Sequence, residues 1–334
     1  MPELPEVEVV RLGLLPAVTG ARVLAVTVFD ERSLRRHDGP AEDFIDRLVG
    51  AEFTGAERRG KFLWLPIAGS AAGSATAGAT AGATAGVTAA NAAPPSEALV
   101  VHLGMSGQVL LRTREQDDRL TRIRLEIEHP VQGPLRLNFV DQRIFGSMAL
   151  DSLVPEGAVP EGAIARGAVP EGAIPGGSIS SRAIPSQVAH IARDPLDSLF
   201  DDALFASRLG KRKTGIKRAI LDQTLISGIG NIYADEALWA ARLHYDQPTA
   251  TLPKSKITLL LAEVRSVLIK ALAEGGTSFD AQYVNVNGAS GYFSHSLNVY
   301  GQQGKECPRC GREVKREQFM NRGSHFCPWC QRVR

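Results

Sequence analysis

The chain begins Met1-Pro2-Glu3-Leu4-Pro5-Glu6. Removal of Met1 leaves Pro2 with a free secondary amine. An α-amino group titrates near ~8, against ~10.4 for lysine, so a far larger fraction of it is neutral and nucleophilic at neutral pH. Attack of such an amine on a sugar C1′ gives an iminium ion, which is cationic without needing a proton. That electron sink acidifies the C2′ hydrogens and permits β-elimination of a phosphate. Glu3 is suited to proton transfer at the opening sugar ring. Glu6, three residues on and on the same helical face, can hold the amine or a water. The same residues also suit a plain helix start, with proline and acids in the first turn, and on these residues alone both readings stand.

A second constellation lies at the other end. Cys307-x2-Cys310, sixteen residues, then Cys327-x2-Cys330 uses all four cysteines of the chain. Each pair places two thiolates on one side of a tight turn, and two such turns close a tetrahedron around Zn²⁺. Two disulfides would need an oxidising compartment, and the acidic N-terminus has no apolar stretch of the kind a secretory signal needs. We therefore expect one structural zinc, with no open position for catalysis and His325 as an ordinary polar residue.

The 334 residues are 44% hydrophobic and 22% charged, with a net charge of only +2. These values suit a globular protein of two or more domains, and runs such as Leu259-Leu260-Leu261 are far too short to span a bilayer. The distribution of charge is more informative. Phe205–Ile220 holds six basic residues and no acid, and Lys305–Arg334 holds eight against three acids. The first fifty residues are net acidic. A basic C-terminal half on a near-neutral chain fits a localised polyanion-binding face, although a solvated surface gives the same composition.

The elements that must position these residues come next. Val7, Val10, Leu12, Leu15 and Val18 lie among charges in a helical pattern over 2–19, closed by Gly20. β-rich runs follow at Val23–Phe29 and Phe62–Ile67. Leu99–Leu103 and Gln108–Arg112 flank Gly104-Met105-Ser106-Gly107, which predicts a hairpin. Arg122–Glu128 alternates strictly and is expected to pair with Leu135–Val140. Residues 1–150 thus read as one helix plus a mostly antiparallel β-domain. From Asp197 the pattern becomes helical, with a long apolar face from Ile257 to Leu272 between Pro253 and Gly275-Gly276. Gly228 and Gly230 stand directly before a helix, where backbone N–H groups can take a phosphate, with Lys217 and Asn231 as side-chain donors. Helix packing also calls for glycine there. Two tracts break the pattern. Residues 68–96 are almost only Ala, Gly, Thr and Ser, and 154–186 repeats Pro-Glu-Gly-Ala from 155, 160 and 170. Lacking large apolar side chains, both are expected to be disordered, the first looping out between strands and the second separating domains.

The N-terminal octet Met1–Glu8 resembles that of the bacterial formamidopyrimidine-DNA glycosylase family. So do Arg59-Gly-Lys61-Phe-Leu, His102-Leu-Gly-Met105-Ser-Gly, Asp141-Gln-Arg143-Ile-Phe145-Gly, Lys213–Tyr233, Gly291-Tyr-Phe and the cysteine finger. These motifs occur in family order and cover the chain apart from the two tracts. The resemblance implies an α+β multidomain fold. It comprises an N-terminal β-sandwich with a leading helix over 1–150, a linker over 151–195, a helix–two-turn–helix domain over 196–295 and a zinc finger over 296–334. It implies a DNA-repair glycosylase with lyase activity, acting on double-stranded DNA with oxidised purines or abasic sites lying in a cleft. Its implied catalytic residues are Pro2, Glu3, Lys61 as a proton donor in β-elimination, and Arg322, linked with δ-elimination and phosphate contact. Glu6 supports them. Met105, Arg143 and Phe145 match the residues that fill the gap left by an extruded base, and Arg212, Lys217 and Asn231 match DNA contacts. Asp117–Arg122 departs from the family, whose histidines near this point approach DNA. The loop over the flipped lesion, 276–291, carries Tyr283 and has no assigned base contacts. A sister enzyme preferring oxidised pyrimidines, and a binding-only zinc-finger protein, are the competing readings. A different N-terminus after Pro-Glu would mark the first, and loss of Pro2, Glu3 or Lys61 the second. With no heptad or apolar surface stripe a monomer is expected, and the N-terminus and short apolar runs make the cytoplasm, on the nucleoid, its expected location.

Overall fold

The computed structural model describes residues 2–68, 94–157, 182–277, 286 and 293–333. Helix α1 (Leu4–Val18) begins where Glu6 accepts a bond from the Glu3 backbone at 2.8 Å, with Pro5 in the first turn. Its inner face, Val7, Val10, Leu14 and Val18, is buried. Strand β1 (Arg22–Val28) and helix α2 (Ala41–Leu48) follow. Then come β2 (Glu57–Arg59), β3 (Phe62–Ile67), β4 (Glu97–His102), β5 (Gly107–Arg112), β6 (Thr121–His129), β7 (Gly133–Asp141), β8 (Ser147–Pro155) and β9 (Ala183–Pro185).

These strands form two antiparallel sheets, ordered β1-β6-β7-β5 and β2-β3-β4-β8-β9. Val23, Ile123, Leu125 and Phe139 of the first sheet share one core with Leu63, Leu65, Leu99 and Val101 of the second, and α1 seals the same core. The expected β-sandwich with a leading helix is thus present. The alternating run Arg122–Glu128 pairs with Leu135–Val140 as its pattern implies, Leu125 facing Leu137. Strand β3 is buried on both faces because Phe62 and Trp64 pack outward against Ile184, Val188 and Ile191. Its unbroken apolar sequence reflects that double burial.

Two expectations need correction. The segments 99–103 and 108–112 do not form a hairpin. β4 pairs with β3 and β8, whereas β5 pairs with β7 in the other sheet. A glycine between two apolar runs reads as a hairpin turn, but here Gly104 (φ +65°) marks a crossing between layers. Second, the ends of segment 151–195 are not a linker. Val154 pairs with Ile184, and Val188 and Ile191 enter the outer core of the N-terminal unit. One β-branched pair and an apolar patch on β3 outweigh the loop-like composition. The repeat itself, 158–181, lies outside the described residues. So does 69–93, whose flanking strands pair directly, Ile67 with Glu97.

The C-terminal half holds α3 (Asp202–Gly210), α4 (Ile216–Ile220), α5 (Asn231–Ala240) and α6 (Lys254–Ala273) around a second core. Leu4 of α1 is buried in that core too, so the first turn of the chain is shared between the two halves. A β-ribbon of β10 (Lys315–Phe319) and β11 (Arg322–Phe326) belongs to the cysteine unit.

Candidate active site

The start of α1 is pressed onto the start of α5. The Glu3 carboxylate accepts the backbone N–H groups of Gly230 at 2.7 Å, Ile232 at 3.1 Å and Tyr233 at 3.4 Å. Leu4 N–H donates to the Gly228 carbonyl at 2.9 Å. Only glycine permits this approach. A Cβ on Gly230 would lie 2.2 Å from Glu3 Cδ, and one on Gly228, whose φ is +85°, would lie 2.6 Å from Leu4. The helix N-terminus expected to receive a phosphate is therefore filled by the protein's own carboxylate. The physics is that of an anion at orphan N–H groups, with Glu3 as the anion. Glu6 is held by Tyr233 Oη at 2.5 Å and by the Thr277 N–H and hydroxyl at 2.8 and 2.9 Å.

Burial pushes the Glu3 carboxyl up to about 7, with Glu6 adding to the rise and Lys61 and the Ile232 N–H opposing it. A carboxyl poised there can give or take a proton near neutrality. Pro2, buried, is its chain neighbour.

Lys61 arrives on the β2–β3 turn. Gly60 (φ +57°) packs so closely on Ser227 that a Cβ would meet its side chain at 2.9 Å, which docks the turn on the same loop that receives Glu3. Arg58 braces the turn from behind, bonded to Glu8 at 2.8 Å, Asp194 at 3.0 Å and the Gly60 carbonyl at 3.2 Å. Burial lowers the Lys61 ammonium below its ordinary value. Glu3 resists that shift and Arg322 assists it. Arg322, exposed at the β10–β11 turn, thus bears on the same ammonium. The Pro2–Glu3 pair, Lys61 and Arg322, three points far apart in sequence, converge here.

Met105 and Phe145 are 47% and 48% exposed, and Arg143 is exposed beside them. Their loops touch: a Cβ on Gly104 would lie 2.3 Å from the Phe145 carbonyl carbon. The buried Asp141 carboxylate ties both together, accepting Ser106 Oγ at 2.6 Å, Arg143 N–H at 3.1 Å and Gly146 N–H at 2.6 Å. Burial and the nearby Arg36, Arg35 and Lys61 charges push His102 down to about 4, so its neutral ring accepts the Gly104 N–H at 3.2 Å. Two large apolar side chains left in solvent by so tight a scaffold are not core residues.

Lys217 departs from its expected place. It is fully buried, with Nζ 2.6 Å from Asp235, and burial lowers its ammonium despite that partner. A cation so enclosed does not present itself to a backbone phosphate. Asp235 also accepts Ser324 Oγ at 2.9 Å and His325 N–H at 2.8 Å, so the Lys217–Asp235 pair clamps the β-ribbon onto α5. Asn231 Nδ2 donates to the Gly323 carbonyl at 3.0 Å and does similar work. Arg212 pairs with Asp222 at 2.8 Å, while Lys211, Lys213 and Arg218 of the basic run are exposed. Asp117 and Asp118, where the family carries histidines, pair with Arg124 at 2.6 Å and Arg112 at 2.9 Å. Asp141 and Asp235 carry much of the scaffold. The first stands in a legible motif, and the second gives no sign in the sequence beyond lying four residues after Asn231.

The four cysteine sulfurs lie within 4.8 Å of one another, a set that closes around a single tetrahedral zinc and leaves no open ligand position. Glu236 caps the turn leading into this unit through the N–H groups of Asn298, Val299 and Tyr300. Gln331 reaches back to the Leu243 carbonyl at 2.8 Å. Finger and α5 are thus one body.

Known proteins place this arrangement. Residues 1–148 match the formamidopyrimidine-DNA glycosylase N-terminal domain, 191–282 its helix–two-turn–helix domain, and 304–333 the zinc finger found in that enzyme and in isoleucyl-tRNA synthetase. The formamidopyrimidine-DNA glycosylase of Leifsonia xyli subsp. xyli is 57% identical over all of both chains. That of Thermobifida fusca is 46% identical over 99% of this chain and 97% of its own. Among solved structures, a point mutant of the Lactococcus lactis enzyme in complex with DNA containing Fapy-dG superposes with a TM-score of 0.73 at 28% identity, covering 99% of each chain. The same enzyme with abasic-site DNA gives 0.73 at 27% identity, covering 99% of each. Three domain matches in one order, and a relative alike from end to end, assign the chain to the formamidopyrimidine-DNA glycosylase family.

Proposed function

We propose that the chain is a bifunctional DNA glycosylase and abasic-site lyase of base excision repair, acting on oxidised purines such as 8-oxoguanine and formamidopyrimidines in duplex DNA. The carrying observation is the Glu3 carboxyl, raised to about 7 and locked on the α5 N-terminus beside Pro2. With Met1 removed, the Pro2 nitrogen attacks C1′ of the damaged nucleoside. The bond from C1′ to the base nitrogen breaks, the base leaves as the neutral species carrying the proton given up by the Pro2 nitrogen, and protonated Glu3 delivers a second proton to the opening ring oxygen. The product is an iminium joined to residue 2. Loss of a C2′ proton then expels the 3′-phosphate, and a second elimination expels the 5′-phosphate. Lys61, with its lowered ammonium, moves a proton in the first of these. Arg322 neutralises phosphate charge in the second.

Met105, Arg143 and Phe145 fill the space left by the extruded nucleotide. Arg143 carries the donors that can read the opposite base. Lys217 and Asn231 act by holding the ribbon that bears Arg322, and Arg212 with its exposed basic neighbours tracks the backbone. The finger's zinc gives that ribbon its fold. No described helix is long and apolar enough to cross a membrane. We place the enzyme in the cytoplasm, on the nucleoid, as a monomer. We draw the limit of the sandwich at about residue 191, after the last side chains of its outer core, with the helical domain from there to about 295 and the finger beyond it.

Incubation with duplex DNA carrying 8-oxoguanine opposite cytosine, followed by borohydride, should trap the protein covalently through residue 2. Peptide mapping that places the crosslink on a lysine would refute the mechanism. DNA binding without excision would favour a binding-only protein.

A further inference from the structure

The loop that carries Arg143 and Phe145 holds a costly backbone conformation. Ile144 has a φ of +54°, the left-handed region that a β-branched side chain strongly disfavours. Such a residue persists only where its surroundings over-determine it. From inside, Asp141 holds the Arg143 and Gly146 N–H groups on either side of the strained residue. That leaves the Ile144 and Phe145 carbonyls facing outward. Both are taken by one side chain: Arg35 donates from Nη1 to the Ile144 carbonyl at 2.8 Å and from Nη2 to the Phe145 carbonyl. A planar guanidinium bridging two successive carbonyls fixes the peptide plane between them as well as its position.

Arg35 is itself well placed to do this. It follows the short turn Glu31–Leu34, whose Ser33 and Leu34 are buried, and precedes buried His37. The exposed guanidinium thus grows from an anchored backbone. The side chains it governs are not anchored. Arg143 and Phe145 project into solvent, so the direction in which each points follows from the backbone at 143–146.

We propose that Arg35 is a positioning residue for opposite-base selection, acting by holding Ile144 in its left-handed conformation so that Arg143 faces the gap with its donors aligned. This rests on the reading of Arg143 and Phe145 given above. Without Arg35, Ile144 is free to relax, and Arg143 reaches the orphaned base from a spread of directions.

The test compares wild type, Arg35→Ala and Arg35→Lys in single-turnover excision of 8-oxoguanine opposite cytosine and opposite adenine. Amide hydrogen exchange over 142–147 is measured in the free proteins. Arg35→Ala should shrink the cytosine-to-adenine rate ratio by at least about 5-fold, the low end of discrimination by one bidentate base contact. It should also speed exchange over 142–147 by about 10-fold or more, with Arg35→Lys in between. Loss of folded enzyme slows both substrates alike and cannot move the ratio. A wild-type ratio overturns the proposal, and so does exchange that Arg35→Ala leaves unchanged. A wild-type ratio with a shallower salt dependence of binding would assign Arg35 to a DNA phosphate instead. If wild-type protein excises nothing, the enzymatic reading falls on that result, and the exchange measurement still decides whether Arg35 holds the loop.

Discussion

Gly230→Ala tests the central contact of the site without replacing any reacting group. The backbone at Gly230 is extended (φ −124°), so alanine meets no conformational penalty there. Its methyl would instead lie 2.2 Å from Glu3 Cδ and Oε1. To restore ordinary contact at 3.4 Å the carboxyl must retreat by about 1.2 Å (3.4 − 2.2), and a misplacement of about 1 Å at a reacting group costs on the order of 10²-fold in rate. Retreat also lengthens the bonds from Gly230 N–H and Ile232 N–H, and forcing a methylene into a filled site costs about 1–3 kcal/mol. The expected variant binds lesion DNA, melts several degrees lower, and excises 8-oxoguanine about 100-fold more slowly in single turnover. Gly210→Ala is the control, because nothing lies within 4 Å of its added Cβ. A Gly230→Ala enzyme within about 3-fold of the wild-type rate would show that the seat of Glu3 on α5 has no part in catalysis.

Three further outcomes follow from the same geometry. Glu3 sits near 7 in the fold, so its acid form is present below that pH and lost above it. The neutral fraction of the Pro2 amine grows toward ~8. The excision rate should therefore peak near neutrality and fall on the alkaline side, and a residual Glu3→Gln activity that keeps the same alkaline fall would clear Glu3 of that titration. Cys327→Ser should release the zinc, detected by metal analysis, and weaken binding to damaged and undamaged duplexes alike, since the ribbon bearing Arg322 is tied to α5 through Asp235; undiminished affinity would remove the finger from the DNA interface. Arg143→Ala should cut the preference for cytosine over adenine opposite the lesion by roughly 1–3 kcal/mol, whereas Phe145→Ala should slow both substrates, and an unchanged ratio in Arg143→Ala would move the reading of that base elsewhere.

Legibility from sequence followed the range of the interactions. Pro2 and Glu3 as a candidate pair, and the four cysteines, were legible because their chemistry is local: a terminal amine, an adjacent acid, two thiolate turns; Lys61 came only from the family resemblance. Strand β6 was legible because one face of it is wet and the alternation shows. Strand pairing across the sandwich was not, because the pattern around Gly104 describes a turn and says nothing of which sheet the chain enters next. Strand β9 was missed for the opposite reason. Its three residues sit beside a repeat poor in large side chains, and only the apolar patch presented by Phe62 and Trp64 makes them a strand.

Lys217 and the glycines at 228 and 230 carry this furthest. A basic run followed by glycines at a helix start reads as a phosphate site, and the local physics of that reading is sound: free N–H groups, a favourable dipole, nearby cations. What sequence cannot supply is the competitor. Glu3, 227 residues away from Gly230, reaches those N–H groups first, and Asp235 takes the lysine. Both substitutions turn a prospective ligand contact into a joint between domains. On the proposed mechanism the consequence is functional, since the carboxyl held at the helix terminus is the one whose proton the chemistry uses. On the same proposal, phosphate binding falls to cations that remain in solvent, namely Arg322 and the exposed members of the run at 211–218. Their contacts are reversible and screened by salt, whereas the joint beneath them is buried and is not. An enzyme that must grip and release many undamaged sites while keeping its reacting groups in register gains from that division.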